Sequence, residues 1–394
     1  MKRILFLLII ITASNCFAQQ IQLSTTAEVS VITCGPGTNE LYASFGHSAF
    51  RILDLENKID RVYNYGTFNF NTPNFYTKFA QGKLLYQLSA YNFGDFLKGY
   101  HRENRWVVGQ VLDLDPVQVQ KVYDYLEENA KPENRSYQYD FFYDNCSTKL
   151  YDVLEDAIGE DLVFKSDFDQ ADYSHRDLIE LYMGHQPWAD FGIDLALGAD
   201  IDRKASSKEY MFLPDYVLEA FTSIEIKKNG VLAPIVKRTE EILLSYPQES
   251  KQGGFTPIIL FSIVALLIIW ITYKDYKNNT RTKILDTVLF SITGVVGIIL
   301  LLLWFATDHS ATANNFNILW AFAPNLIFAF VQHKNPKLSK YYMVTLLILL
   351  DIMVLLWIFN VQVFHFSLIP FIIALYVRYV YLWSWNYRSS KLSK

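Results

Sequence analysis

The stretch Tyr139-Asp140-Phe141-Phe142-Tyr143-Asp144-Asn145-Cys146-Ser147 decides how this chain is read. It is an aromatic run broken by a polar island. Behind it, Leu150, Val153, Leu154, Ala157 and Ile158 recur at the spacing of one buried helix face. Asn145 is a good N-cap, which puts Cys146 at the first helical position. A thiol at a helix start has its pKa lowered by the helix end, and an imidazolium beside it lowers it further. Helix-end amides there would also face the space in which an acyl oxyanion forms.

A second polar island lies well upstream, Phe45-Gly46-His47-Ser48, and runs into Ala49-Phe50-Arg51-Ile52, which reads as a strand. A strand-borne His47 supplies a general base and acid for Cys146. A third polar group would orient the ring, and Asn64 and Asp140 both fit that role. The bland readings are an inert core cysteine and a histidine that only caps the Gly46 turn. Cys34 is the other cysteine beyond the leader, and in an oxidising compartment Cys34 and Cys146 would form a structural disulfide.

Outward from these islands, residues 29–32, 61–65, 84–88 and 106–112 also read as strands. Asp115-Pro116 opens a helix to about Asn129, with Asp115 as cap and Pro116 in the first turn. Further helices are expected near His175–Gly184 and Val231–Leu244. The fold class expected is α+β, an antiparallel sheet with helices packed on it.

The N-terminus reads as a signal peptide over residues 1–18. Lys2 and Arg3 precede the apolar run Ile4–Ile11, and Cys16-Phe17-Ala18 forms the cleavage site. Lipid modification of Cys16 competes with this reading, but Asn15 stands where a small residue is wanted. Residues 19–250 are then exported to the periplasm. The net charge is -5 over 394 residues, and no basic face is visible, which argues against a nucleic-acid partner.

Residues 251–394 carry apolar runs at Pro257–Tyr273, Ile284–Phe305, Phe316–Gln332, Tyr341–Phe359 and Val363–Trp383, each near bilayer length. The connectors alternate. Lys274–Lys283, His333–Lys340 and the tail from Arg388 are basic, whereas Thr307–Asn315 and Asn360–Gln362 carry no Lys or Arg. The positive-inside rule therefore gives five spans in the inner (cytoplasmic) membrane with the C-terminus in the cytoplasm. Asp286 is expected to reach the inner interface. Asp351, near mid-span, is a functional candidate or a protonated partner of a neighbouring helix. Asp308, His309 and Asn317 at the outer surface read either as an ordinary solvated loop or as a polar rim for lipid headgroups.

Phe45-Gly46-His47-Ser48-Ala49-Phe50-Arg51, Tyr63-Asn64-Tyr65-Gly66 and Tyr143-Asp144-Asn145-Cys146-Ser147 resemble the motifs of circularly permuted papain-like enzymes, the group that includes lecithin:retinol acyltransferase. With Trp188–Leu195, Phe212-Leu213-Pro214, Asp308-His309, Asn317–Trp320 and the apolar tail, the chain resembles the Lnb-like family over nearly its whole length. That resemblance implies a lipoprotein N-acyltransferase with Cys146 and His47 as its reacting pair, a phospholipid acyl donor, a diacylated lipoprotein acceptor, a bilayer setting and no metal or organic cofactor. A membrane-anchored cysteine peptidase or amidase of the cell envelope is one alternative. A non-catalytic envelope scaffold with a Cys34–Cys146 disulfide is another.

Overall fold

The structure is a computed structural model that describes residues 21–38, 40–164, 172–228, 230–246 and 254–392. The expected leader and the expected boundary at residues 250 and 251 lie outside the described residues. Glu28–Cys34 (β1) shows how the sheet is built. Val29 and Val31 point to one face, Ile32 and Cys34 to the other, and all four are buried because helices cover both faces.

The remaining strands are His47–Asp54 (β2), Ile59–Thr67 (β3), Leu85–Asn92 (β4), Val107–Leu112 (β5), Ser136–Gln138 (β6), Leu162–Val163 (β7), Glu225–Lys228 (β8), Val231–Pro234 (β9) and Val236–Leu243 (β10). Seven of them form one antiparallel sheet in the order β10-β5-β1-β2-β3-β4-β6, and β7-β8-β9 form a smaller one. The helices of this half are Phe75–Ala80 (α1), Phe93–Arg102 (α2), Pro116–Asn129 (α3), Thr148–Ile158 (α4), His175–Met183 (α5), Pro187–Ala196 (α6), Ser207–Tyr210 (α7) and Pro214–Ser223 (α8). α3, α4 and α8 cover the Val31 face through Val122, Leu126, Leu150, Leu154 and Phe221, whereas α2 covers the Ile32 face through Phe93 and Phe96. Truncating any one of these leucines to alanine costs about 2–5 kcal/mol.

α3 begins as its sequence demands. Asp115 caps it, and Gln118 returns the bond to the Asp115 amide, completing a capping box. The helix expected over Val231–Leu244 is instead two strands. Pro234 cannot donate within a helix. Val236–Leu243 pairs along β5, and Ile242 and Leu243 pack against the cluster under α2.

The apolar half contains Pro257–Asn278 (α9), Lys283–Phe305 (α10), Asn325–Val331 (α11), Pro336–Ile358 (α12) and Ile369–Leu392 (α13). Among the described residues, four helices have the length and composition to cross a membrane, and the expected span Phe316–Gln332 is not one of them. It is a 3-10 turn over Phe316–Leu319, a non-helical stretch, and the short α11. Pro324 interrupts it. The stretch lies directly on α10, where a Cβ on Gly297 would come within 1.9 Å of the Ala321 oxygen, and one on Gly294 within 2.2 Å of the Leu326 nitrogen. Irregular backbone at membrane depth is tolerated when protein buries it, and Ala321 and Asn325 are fully buried. The segment still runs from one end of the helical half to the other. The Phe316 amide bonds Gln362 Oε1 at 2.7 Å, and Gln332 bonds Arg281.

Asp286, in the first turn of α10, is buried between Arg378 Nε and Arg281 Nε, each at 2.7 Å, where the start of α10 packs on α13. Among the described residues Asp351 has no hydrogen-bond partner, and it lies exposed on α12.

α6 joins the halves. Its Leu195 and Ala196 carbonyls accept from Asn315 Nδ2 at 2.9 and 3.1 Å, Trp188 Nε1 donates to the Phe255 carbonyl at 2.8 Å, and Phe191 and Leu195 pack on the membrane-helix core.

Candidate active site

Gly46, with φ of +84°, turns the chain into β2, and a Cβ there would strike the Cys34 oxygen at 2.7 Å. His47 is therefore the first residue of β2, opposite Cys34 on β1. Asn64 lies on β3, and its Oδ1 is 2.6 Å from His47 Nε2. Asn64 Nδ2 donates to the Tyr91 hydroxyl at 3.1 Å, which fixes the amide with its oxygen toward the ring. An amide oxygen only accepts, so Nε2 carries a proton and Nδ1 is the nitrogen left for the thiol.

Just beyond Asn64 the β3–β4 register slips between Asn64 and Thr67. Bulges of this kind re-aim a strand beside a site. Here the bulge contains Gly66, again at φ of +84°, where a Cβ would sit 3.4 Å from the Cys146 Cβ. The Cys146 turn packs directly on Gly66, where the positive φ favours glycine.

Cys146 lies in the turn that leads into α4, slightly ahead of the first helical position expected for it. Asn145 caps that turn. Its Oδ1 accepts from the Ser147 and Thr148 amides at 2.7 and 3.0 Å, and its Nδ2 donates to the Phe141 and Phe212 carbonyls at 2.7 and 2.8 Å. Two of the helix-end amides expected to face an oxyanion are engaged in this cap. The Cys146 amide is the one at the turn that Asn145 does not engage.

Cys146 and His47 are both partly exposed. Burial pushes the Cys146 thiol up, but the His47 charge and its hydrogen bond to the sulfur, with the Ser48 amide, outweigh it and hold the thiol below its ordinary range. Burial pushes His47 down, but the Cys146 sulfur and the Asn64 bond outweigh it, so His47 lies above the ordinary imidazole range. The arrangement favours a thiolate–imidazolium pair, a nucleophile with its proton donor already beside it.

Asp140, the other orienting candidate, is elsewhere. Its Oδ1 accepts from the Phe142 and Tyr143 amides at 2.9 and 3.1 Å, and its Oδ2 accepts from Ser310 Oγ at 2.5 Å. It clamps the loop that carries Cys146 to the connector after α10. That connector packs on the sheet domain: the Asp308 amide donates to the Gln81 oxygen at 2.8 Å, and His309 Nε2 lies 3.2 Å from the Phe79 oxygen. Asp308 and His309 are exposed, but Asn317 is not on a rim. It is buried, and its Oδ1 accepts from Trp320 Nε1 at 2.9 Å.

Cys34 and Cys146 are both free thiols, and burial pushes Cys34 up. Tyr91 carried no sequence signal of its own, and Ser48 and Gly66 stood in the quoted motifs without an assigned role. Their roles follow from strand register, which the stretch around His47 does not encode.

Asp190, Asp194 and His365 bring three ligand-type atoms within 4.8 Å of one another. Each is already paired. Arg176 Nη1 holds Asp194 at 2.6 Å, and His365 Nε2 meets Asp190 at 3.2 Å. His365 Nδ1 accepts from the Ser367 amide at 3.1 Å, so Nε2 is the protonated nitrogen and donates to Asp190. The cluster serves as a clasp between α6 and the turn before α13.

Two family models match the chain: the Lnb N-terminal periplasmic domain over residues 14–180 and the Lnb transmembrane domain over residues 248–390. No curated protein and no solved structure matches it.

Proposed function

Because the chain belongs to the Lnb family, a membrane protein with a periplasmic domain, we propose that it is a lipoprotein N-acyltransferase of the inner membrane. The observation that carries this reading is the Cys146–His47 pair, a thiol held below its usual pKa in a loop clamped to the membrane connector through Asp140 and Ser310. A hydrolase of soluble peptides has no need of that clamp. An enzyme whose two substrates are both held in a bilayer does.

In the first half-reaction the Cys146 thiolate attacks the ester carbonyl of a phospholipid. The ester C–O bond breaks, and His47 gives its proton to the departing lyso-lipid oxygen. A thioester remains on Cys146, and His47 is neutral. In the second, the free α-amine of a diacylglyceryl-cysteine lipoprotein attacks the thioester carbonyl. His47 takes the amine proton, the C–S bond breaks, and the thiolate–imidazolium pair is restored. Asn64 keeps Nδ1 aimed at the sulfur throughout. The Cys146 amide, which the Asn145 cap does not engage, serves as the donor to the developing oxyanion in this reading.

Mass spectrometry of a model lipoprotein made with and without this protein tests the reading. N-terminal acylation should appear with the wild type and vanish in Cys146→Ala. Acylation that does not depend on the protein, or that survives Cys146→Ala, would sink it.

A further inference from the structure

A run of aromatic rings connects the nucleophile to the membrane side of the molecule. The Tyr139 ring lies beside Cys146, packed with it against Gly66. Tyr86 stacks on Tyr139 with centroids 4.2 Å apart, and Phe68 meets Tyr86 at 5.3 Å. Phe75 meets Phe68 at 5.7 Å and Phe70 at 4.9 Å, and Phe79 stacks on Phe75 at 6.5 Å. The far end is open: Phe70, Tyr76 and Phe79 are 67%, 80% and 52% exposed. A contiguous exposed aromatic patch of this kind marks an interaction surface.

Its height above the bilayer is set by hydrogen bonds to the short connector after α10. The Phe79 and Gln81 carbonyls are bonded by His309 and by the Asp308 amide, just beyond the end of α10 at Phe305. So short a connector reaches roughly 10–15 Å even when extended. The exposed rings therefore stand at the outer bilayer surface, where aromatic residues favour the headgroup level. Lys78 and Lys83 flank Phe79 and offer positive charge to lipid phosphates.

The geometry points to an acyl-chain track: the rings from Phe70 and Phe79 through Phe68 and Tyr86 to Tyr139 bind a fatty acyl chain of an outer-surface phospholipid and lead its ester to Cys146. This assignment rests on the acyl-transfer reading. Its occupant is a bilayer lipid because the patch is continuous with the end of a membrane helix and basic at its rim. The flat faces of the rings give an apolar path without fixing chain length.

The test uses the full-length protein in phosphatidylethanolamine/phosphatidylglycerol vesicles. A benzoyl-phenylalanine photoprobe replaces Phe70, Tyr76 or Leu55, the last being an exposed residue beyond the opposite end of β2. Probes at 70 and 76 should cross-link phospholipid and the probe at 55 should not. In parallel, Phe70→Ser/Phe75→Ser should slow acylation of Cys146 by long-chain phospholipid on the order of tenfold, the effect of about 1.4 kcal/mol of lost contact. The same variant should leave its acylation by 4-nitrophenyl acetate unchanged. Absence of lipid cross-links at 70 and 76, or equal slowing with both donors, overturns the track. Cross-links at 70 and 76 without any acyl adduct on Cys146 would retain the lipid-binding surface and remove the acyl-transfer reading.

Discussion

His47 Nε2 and Asn64 Oδ1 lie 2.6 Å apart, and Tyr91 holds the other end of the same amide. In the proposed reaction Asn64 acts as a positioning residue: it sets which ring nitrogen faces the sulfur and favours the protonated ring. Asn64→Ala should lower turnover on the order of tenfold or more, since a hydrogen bond to a charged group contributes about 1.5–3 kcal/mol. Its His47 titration should also move down. Asn64→Gln, with the same donor and acceptor on a longer stem, should recover only part of the rate. Wild-type turnover and an unmoved pH profile in Asn64→Ala would remove Asn64 from the site.

The paired shifts at Cys146 and His47 give a pH signature. Cys146 titrates below an ordinary thiol and His47 above an ordinary imidazole. The thiolate–imidazolium form is thus populated between the two, appearing as pH rises through the lowered thiol value and lost as pH rises through the raised imidazole value. Alkylation of Cys146 by iodoacetamide should begin at acidic pH. In His47→Ala the onset should move toward the ordinary thiol range near 8.5. An onset that stays in place in that variant would mean that His47 does not set the thiol.

Much of this site was legible in the sequence, and the limits of that reading are physical. Cys146 and His47 stand out because polar islands interrupt aromatic and strand patterns, and Asn145 announces a cap that the structure contains. Asn64 and Asp140 were equivalent on paper because one depends on β2–β3 register and the other on a contact with Ser310 far away in the chain. Val236–Leu243 was misread because an exposed edge strand with a mostly polar outer side gives no clean period of two. Phe316–Gln332 has the hydropathy of a span, but hydropathy does not register that Gly294 and Gly297 open a slot for bare backbone.

His175 supplies a separate pH effect, on stability. It is buried among Phe142, Tyr143 and Phe212, neither ring nitrogen has a partner, and burial pushes its pKa down to about 4. The unfolded ring titrates near 6.5. Above that value both states are neutral and the stability is fully present. As pH falls from there toward about 4 the unfolded state binds the proton first, so stability falls by on the order of 2 kcal/mol. The thermal midpoint of the wild type in detergent should drop between pH 7 and pH 4.5, and His175→Phe should flatten part of that slope. An identical slope in the variant would mean that the buried ring is not its source.

The last prediction concerns the inner end of the helical half. Arg378 Nη1 bonds Asp275 at 2.7 Å, Arg378 Nε bonds Asp286, Arg281 Nε bonds the other Asp286 oxygen, and all four groups are buried. Two positive and two negative charges cancel, and the network ties the α9–α10 hairpin to α13 and, through Gln332, to the end of the broken segment. Asp286→Ala leaves one positive charge unpaired in a buried site and should destabilise the protein by about 3–5 kcal/mol. Removing Arg281 as well restores neutrality and leaves the Arg378–Asp275 pair intact. Asp286→Ala/Arg281→Ala should therefore be more stable than Asp286→Ala alone, although it has lost one more side chain. Thermal midpoints of the two variants in detergent decide this. If the double variant melts at or below the single one, charge balance is not what holds these helix ends together.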